Sequence, residues 1–172
     1  MMNNNIPGLV VDSIVRQEGT EEIVGIATVT LPDIENVTEE ISGMGVDKFN
    51  EVLGSEFNPL TFGMKFMGLT SNVGFSRGKT VSLVITSAIS SYNKETHEEE
   101  QKKLVCSIKG KLQKRTGGEL GRGNKNEPEL EFSLTYYKLE LEDTVLYEID
   151  KFNKKAIVDG EDLYAPTSSI LG

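Results

Sequence analysis

The chain has no tryptophan, one histidine and one cysteine in 172 residues, and aromatic side chains make up only 7% of it. Each shortage removes a class of function. A lone cysteine, Cys106, cannot close an internal disulfide, so a reducing compartment is expected during folding. It alternates with Leu104 and Ile108, the spacing of a buried small hydrophobe on a strand, and a nucleophile would need a positioned base. The lone histidine, His97, stands in a run with Glu98, Glu99 and Glu100 at the tip of a charged connection. Metal centres need several ligands held by a rigid scaffold, so no metal or cofactor is expected and the cluster reads as solvated. No apolar run approaches membrane-spanning length. The start MMNNNIPG has neither a basic n-region nor an apolar h-region, so synthesis and folding in the cytoplasm are expected, with no membrane anchor.

Other apparent motifs dissolve in the same way. GGELGRG lacks the Lys-Ser/Thr ending of a nucleotide loop and is not followed by a helix pattern, so it reads as a hairpin loop. Glu39-Glu40 and Glu161-Asp162 are sequence neighbours, whereas glycosidase chemistry needs two carboxyls across a cleft. An enzyme is therefore not expected.

What is present is β-rich. Hydrophobic residues make up 37%, charged residues 26%, and glycines number 17, a balance that suits a β domain with long loops or arms ordered against neighbours. The net charge of −9 disfavours general attraction to nucleic acid but is compatible with a surface that nucleic acid slides past. The charge is uneven. Residues 1–93 carry 11 acidic and 5 basic side chains, residues 94–126 carry 5 and 9, and residues 127–172 carry 11 and 4. Solvated strand faces and complementary inter-subunit patches both account for that pattern.

Strands are expected at Leu9–Val15, Glu21–Leu31 (stopped by Pro32), Leu60–Leu69, Thr80–Tyr92 and Leu104–Leu112. Residues 1–8 are expected to be flexible, Asn93–Lys103 to be a charged connection, and Gly117–Asn126 a loop. At most a helical turn is expected over Ser71–Gly78, because glycines interrupt it, and DGEDLYAP is expected to make a turn or one helical turn. Asp33–Ser55 is polar and glycine-bearing, either a mobile loop or an arm that docks on another chain, with a tight turn at ISGMGV between two extended legs. In the closing segment, Leu130, Phe132, Leu134 and Tyr136 share one face of a strand. Glu131, Ser133, Thr135 and Tyr137 share the other, so Tyr136 and Tyr137 place one ring on each face. Glu142-Asp143-Thr144 breaks the alternation, and Val145, Tyr147 and Ile149 resume it. The whole is expected to be one domain over residues 1–172.

Several of these segments together resemble one family, the major tail tube protein of contractile-tailed bacteriophages and of phage-tail-like (R-type) bacteriocins. VTLPDIENVTEEISGMGVDKFNEVLG resembles its strand, Leu-Pro and polar arm, with Leu31, Pro32, Glu39, Gly43 and Gly45 at matching places. SIKGKLQKRTGGELGRG resembles a strand and glycine-bearing loop of its second half. TYYKLELEDTVLYEIDKFNKKAIVDGEDL resembles its closing segment, with Tyr136, Tyr137, Leu146, Glu148, Ile149, Asp150, Asn153, Gly160 and Asp162 in register. The resemblance runs from about residue 24 onward and lies in the order and spacing of the segments.

The resemblance implies an antiparallel β-sandwich or barrel-like domain with an extended hairpin arm and at most one short helix. It implies hexameric rings stacked into a hollow β-lined tube, with an acidic lumen that lets DNA pass unbound. The implied partners are further copies of the chain, a contractile sheath, baseplate and tail terminator proteins, in a phage tail or bacteriocin particle made in a bacterial host. Residues 33–55 would be the inter-ring arm, with Leu31, Pro32, Glu39, Glu40, Ile41, Gly43, Met44, Gly45, Lys48 and Phe49 as its contacts. Tyr136, Tyr137, Glu148, Asp150, Asn153 and Asp162 would belong to the tube wall. The competing reading is a non-polymerising β-barrel or sandwich that binds a small ligand or carbohydrate, which the absence of tryptophan weakens.

Overall fold

The computed structural model of the chain describes residues 4–18, 22–69 and 78–172. Twelve strands and one helix follow in chain order among these residues: β1 (Asn5–Gln17), β2 (Glu22–Ile23), β3 (Ile26–Thr30), β4 (Asn36–Gly43), β5 (Val46–Phe57), β6 (Leu60–Phe66), β7 (Val81–Asn93), β8 (Glu99–Thr116), β9 (Glu129–Leu141), β10 (Thr144–Asp150), β11 (Lys155–Val158), β12 (Glu161–Asp162) and α1 (Ala165–Leu171). Every pairing is antiparallel. The mainly-β, antiparallel expectation holds.

The main sheet runs β12-β11-β10-β9-β8-β7-β1-β2, with β6 on β9 and β3 on β6. It closes on itself. β2 pairs with β1 and β3 with β6, and only Val24-Gly25 separates β2 from β3. The circuit β1-β7-β8-β9-β6-β3-β2 is therefore barrel-like, which hides most strand edges. Gly25 makes that corner possible because its φ of 91° lies in the left-handed region that side chains disfavour. The single strand expected over Glu21–Leu31 is accordingly two, and Glu21 lies outside the described residues.

β9 is the hub. Its first half pairs with β6, from Lys65↔Glu129 to Leu60↔Leu134, and its second half pairs with β10, from Tyr136↔Asp150 to Leu141↔Thr144. β8 lines its other edge throughout. The core forms where these strands meet. Phe62 and Phe132 face each other in register with ring centroids 6.2 Å apart. Leu60, Met64, Phe66, Leu83, Ile108, Leu130, Tyr137 and Ile149 are buried around them.

The phase expected for the closing segment changes halfway. Leu130, Phe132 and Leu134 are buried, but so are Tyr137 and Leu139, while Tyr136 is on the other face. The cause is a β-bulge: Lys109 pairs with Tyr136 and Gly110 with Leu134, which leaves Thr135 as an extra residue. One added residue moves every later side chain to the opposite face. β10 repeats the device, since Val145 pairs with Glu140 and Tyr147 with Leu139. Leu146 is the extra residue there, and Val145 falls out of phase with Tyr147 and Ile149.

Other departures concern boundaries. β1 begins at Asn5, so the stretch 1–8 is not wholly flexible, and residues 1–3 lie outside the described set. β8 starts at Glu99, so half of the charged connection is strand. The remaining turn is held by the Asn93 side-chain oxygen, which accepts from the Glu95 and Thr96 amides at 2.9 and 3.3 Å. This Asx-type turn holds His97 at a φ of 61°. Most of Ser71–Gly78 lies outside the described residues. The helix α1, Ala165–Leu171, begins within the last two residues of DGEDLYAP, runs past it, and buries no side chain.

Candidate functional site

Asp33–Ser55 forms a hairpin. β4 and β5 make a two-stranded sheet of their own, apart from the main sheet. The turn between them is Met44-Gly45, with Gly45 at a φ of 81° and Met44 fully exposed at the tip. Its base is built carefully. The Asn36 side-chain amide donates to the carbonyls of Leu53, Gly54 and Glu56 at 3.1, 3.1 and 3.3 Å, satisfying a wide irregularity between the Asn36↔Phe57 and Val37↔Leu53 pairs. The Asn58 amide donates to Glu35 O at 2.7 Å, and Phe57 is buried in the core. Leu31 is half-buried against the core and Pro32 is buried. These two residues, expected among the contacts of the arm, lie at its base against the core.

Beyond the base, the hairpin has two unlike faces. Opposed residues of an antiparallel pair share a face. One face carries Thr38, Glu40, Lys48, Asn50 and Val52, and Lys48 pairs with Glu40 at 3.3 Å. The other carries Val37 opposite Leu53, Glu39 opposite Glu51 and Ile41 opposite Phe49. From Glu39 outward every residue of the hairpin limb is exposed, Ile41 to 42% and Phe49 to 43%. A two-stranded hairpin is marginally stable alone in water.

The closing segment carries a charge ladder on its outer face. Glu148 is buried to 8% exposure, opposite Lys138 in register. Its carboxylate contacts the Lys155 ammonium and lies 3.6 Å from that of Lys138, which pairs with Glu140 at 2.7 Å. The Lys155 hydrogen bond outweighs burial and holds the Glu148 carboxyl below its usual value. Tyr136 shares this face, with the Lys109 ammonium 5.4 Å above its ring. Burial, then the Glu148 charge, push its hydroxyl upward. The Asp150 carboxyl is desolvated, which raises it, but hydrogen bonds from the Asn153 side chain at 2.7 Å and from the amides of Asn153 and Phe152 bring it below the usual range. This pair holds the β10–β11 turn. Asp162 accepts from the Tyr164 amide at 3.0 Å. Tyr137 is 1% exposed. It stacks near Tyr147 with centroids 6.4 Å apart, so it belongs to the core.

The two groups of residues meet at one place. A groove of about 530 Å³ lies between the arm's base and the closing segment, lined by Leu53, Phe57, Lys151, Ala156 and Tyr164. Lys151 donates to the carbonyls of both Phe57 and Asn58. Burial pushes its ammonium below the usual lysine value, and the Glu56 charge opposes that. Neither Lys151, a base in the turn after β10, nor Asn36, an amide at the start of β4, carries a local sequence signal for this junction. The tip residues Ile41, Gly43, Met44, Gly45, Lys48 and Phe49 remain apart from the closing segment.

The molecule is thus a barrel-like antiparallel β protein with a separate two-stranded hairpin that leaves Ile41, Met44, Val46, Phe49 and Val52 exposed. Comparison with known proteins gives that class a family. The family described as phage tail tube protein FII matches residues 14–172, and the chain belongs to it. That family is structural, a tail tube protein. Comparison with curated proteins finds no match. Among solved structures, the fold resembles a chain from the sheath/tube terminator of an extracellular contractile injection system (PVC) in its extended state. The TM-score is 0.53 at 14% identity, over 78% of this chain and 97% of that one. A chain from the sheath–tube complex of the same kind of system, also extended, matches with a TM-score of 0.51 at 14% identity, over 78% of this chain and 91% of that one. At this identity the likeness is one of fold.

Proposed function

We propose that this protein is the repeating subunit of the inner tube of a contractile tail or contractile injection particle. Copies form hexameric rings, the rings stack into a hollow conduit, and a contractile sheath surrounds it. A terminator and a baseplate meet its two ends, and cargo such as DNA passes through without specific binding. The observation that carries this reading is the family match over residues 14–172. The form of the subunit supports it. The β4–β5 arm exposes Ile41, Met44, Val46, Phe49 and Val52 to solvent, and β1, whose outer edge pairs only with β2 at Val15 and Arg16 among the described residues, exposes Ile6, Leu9, Val10 and Val11. Exposed apolar surface of this extent marks interaction sites, and an open strand edge invites pairing with another chain. A contact between unlike surfaces of identical subunits generates open filaments.

The test is negative-stain electron microscopy of the purified protein across a concentration series, alone and with its sheath protein. Rings and tubes are expected. A monomer at all concentrations, alone and with the sheath, overturns the reading. Replacing Glu39–Asn50 by a two-residue turn keeps the anchored base and should leave rings that do not stack. Unchanged tubes would remove the arm from that role.

A further inference from the structure

The arm carries an unbalanced charge. On one face Glu40 is neutralised by Lys48 at 3.3 Å. On the other, Glu39 and Glu51 stand directly opposite each other across the two strands, with no ion-pair partner among the described residues. Like charges in that position repel. They lie between two exposed apolar pairs, Val37/Leu53 and Ile41/Phe49. A surface that is apolar, then doubly acidic, then apolar calls for a partner with a cation set in an apolar rim.

The chain itself has such a surface. At one end of the barrel a small apolar cavity of about 80 Å³ is lined by Phe66, Leu69, Pro128 and Leu130, with Arg115 and Thr116 at its edge. Arg115 pairs in register with the core residue Leu130, which puts its side chain on the inward face at the rim. It is exposed and in no ion pair among the described residues. Leu69 beside it is 78% exposed. Neighbouring cations of β8 suit the arm less well. Lys109 faces Tyr136, Lys111 lies opposite Ser133, and Lys114 lies opposite the acidic Glu131.

The placement of the two surfaces is also telling. β3 starts at Ile26, opposite Phe66 at the cavity, and ends at Thr30, opposite Gly63, before the chain enters the arm. Arm and cavity therefore lie toward opposite ends of the β3–β6 ladder. An acceptor at one end and a projection at the other join copies head to tail with a single polarity.

We propose that the arm of one copy docks its Ile41/Phe49 face on the Arg115 cavity of a second copy, with the guanidinium between Glu39 and Glu51. This rests on the tube reading and assigns the partner of its arm. A planar, permanently charged guanidinium can serve two carboxylates at once, and docking covers the apolar pairs on either side of them. The 94–126 stretch, with its excess of 9 basic over 5 acidic side chains, then meets an acidic projection.

The experiment compares tube formation by sedimentation and electron microscopy for wild type, R115E, E39K/E51K and the combination of all three. Each single set should abolish stacking while circular dichroism stays unchanged, and the combination should restore at least half of the wild-type tube yield. Separately, F49C and L69C together in a C106S background should give a ladder of covalent multimers on mild oxidation of tubes, which neither single cysteine gives. If wild type forms no tubes, the tube reading fails. If wild type forms tubes but R115E forms them equally well, or the double-cysteine protein in tubes gives no ladder, the docking proposal fails and the tube reading stands.

Discussion

Lys151 donates from its ammonium to the backbone carbonyl of Phe57, 94 residues earlier in the chain. The bond ties the closing segment to the point where the arm re-enters the core. The hairpin is anchored at its base and exposed at its tip. Lys151 reaches Phe57 O and Asn58 O, Asn36 spans three carbonyls of β5, and Phe57 fills the core beneath them.

Replacing Lys151 by methionine keeps the aliphatic stem but leaves those two carbonyls without their donor. A loss of about 1–3 kcal/mol of stability is expected from losing this charge-assisted donor to the two carbonyls. Hydrogen exchange should accelerate selectively in residues 36–57. Uniform acceleration across the barrel would contradict the anchoring role.

Glu148 makes stability fall in acid. Its carboxyl is held below the ordinary value by the Lys155 hydrogen bond, so the folded state binds its proton less readily than the unfolded chain does. The resulting stabilisation is fully present above the unfolded carboxyl range and is lost as pH falls through the lower folded value. Glu148→Gln should flatten the dependence of Tm on pH between about 5 and 3, where unfolded glutamates titrate. A slope equal to wild type would mean other carboxylates carry the effect.

At the alkaline end the buried thiol and phenol act together. Burial pushes Cys106 from 9.0 up to about 12 and raises Tyr137 as well. Both neutral forms are favoured in the folded state. Their contribution is complete below the unfolded values and declines as pH rises through the folded ones. Tm should fall steadily above pH 9, and Cys106→Ala should make that fall shallower. Thiol reagents should label native Cys106 only at the rate of unfolding.

Gly110 faces a steric limit. A Cβ there would stand 2.2 Å from the Ser133 carbonyl oxygen and 2.9 Å from the Leu134 Cα, both backbone atoms. Gly110→Ala should therefore cost about 3 kcal/mol or more, or prevent folding, since the bulged β8–β9 ladder cannot yield without losing its register. Chemical denaturation measures it. Gly43→Ala on the arm, where an added Cβ meets nothing within 4 Å, is the matched control and should be near neutral.

Much of this was legible from local pattern. Alternation of apolar and polar residues located most strands, and the glycine-rich centre of Asp33–Ser55 located the hairpin turn. Pattern failed where one residue was inserted. Thr135 and Leu146 look like any other strand residues, yet each is a bulge, and Tyr136 and Tyr137 exchange faces because of the first. Glu142 also misleads, since glutamate rarely takes a φ of 47°. It does so here because its carboxylate accepts from the Lys103 amide while its own amide donates to Lys103 O. That reciprocal bond crosses from the β9–β10 turn to β8 and has no local signature.

By itself the sequence determined an antiparallel β chain with a polar hairpin, no disulfide and a basic middle between acidic ends. Those properties follow from side-chain type and spacing, which act over a few residues. Only the tertiary structure decided that the sheet closes through Gly25, that Glu148 is buried among lysines, that Tyr137 belongs to the core, and that the arm and the Arg115 cavity lie toward opposite ends of one ladder. Each of these depends on which strands become neighbours and in what register. Register is set by the packing of the whole sheet, where shifting one strand by one residue turns its buried face outward.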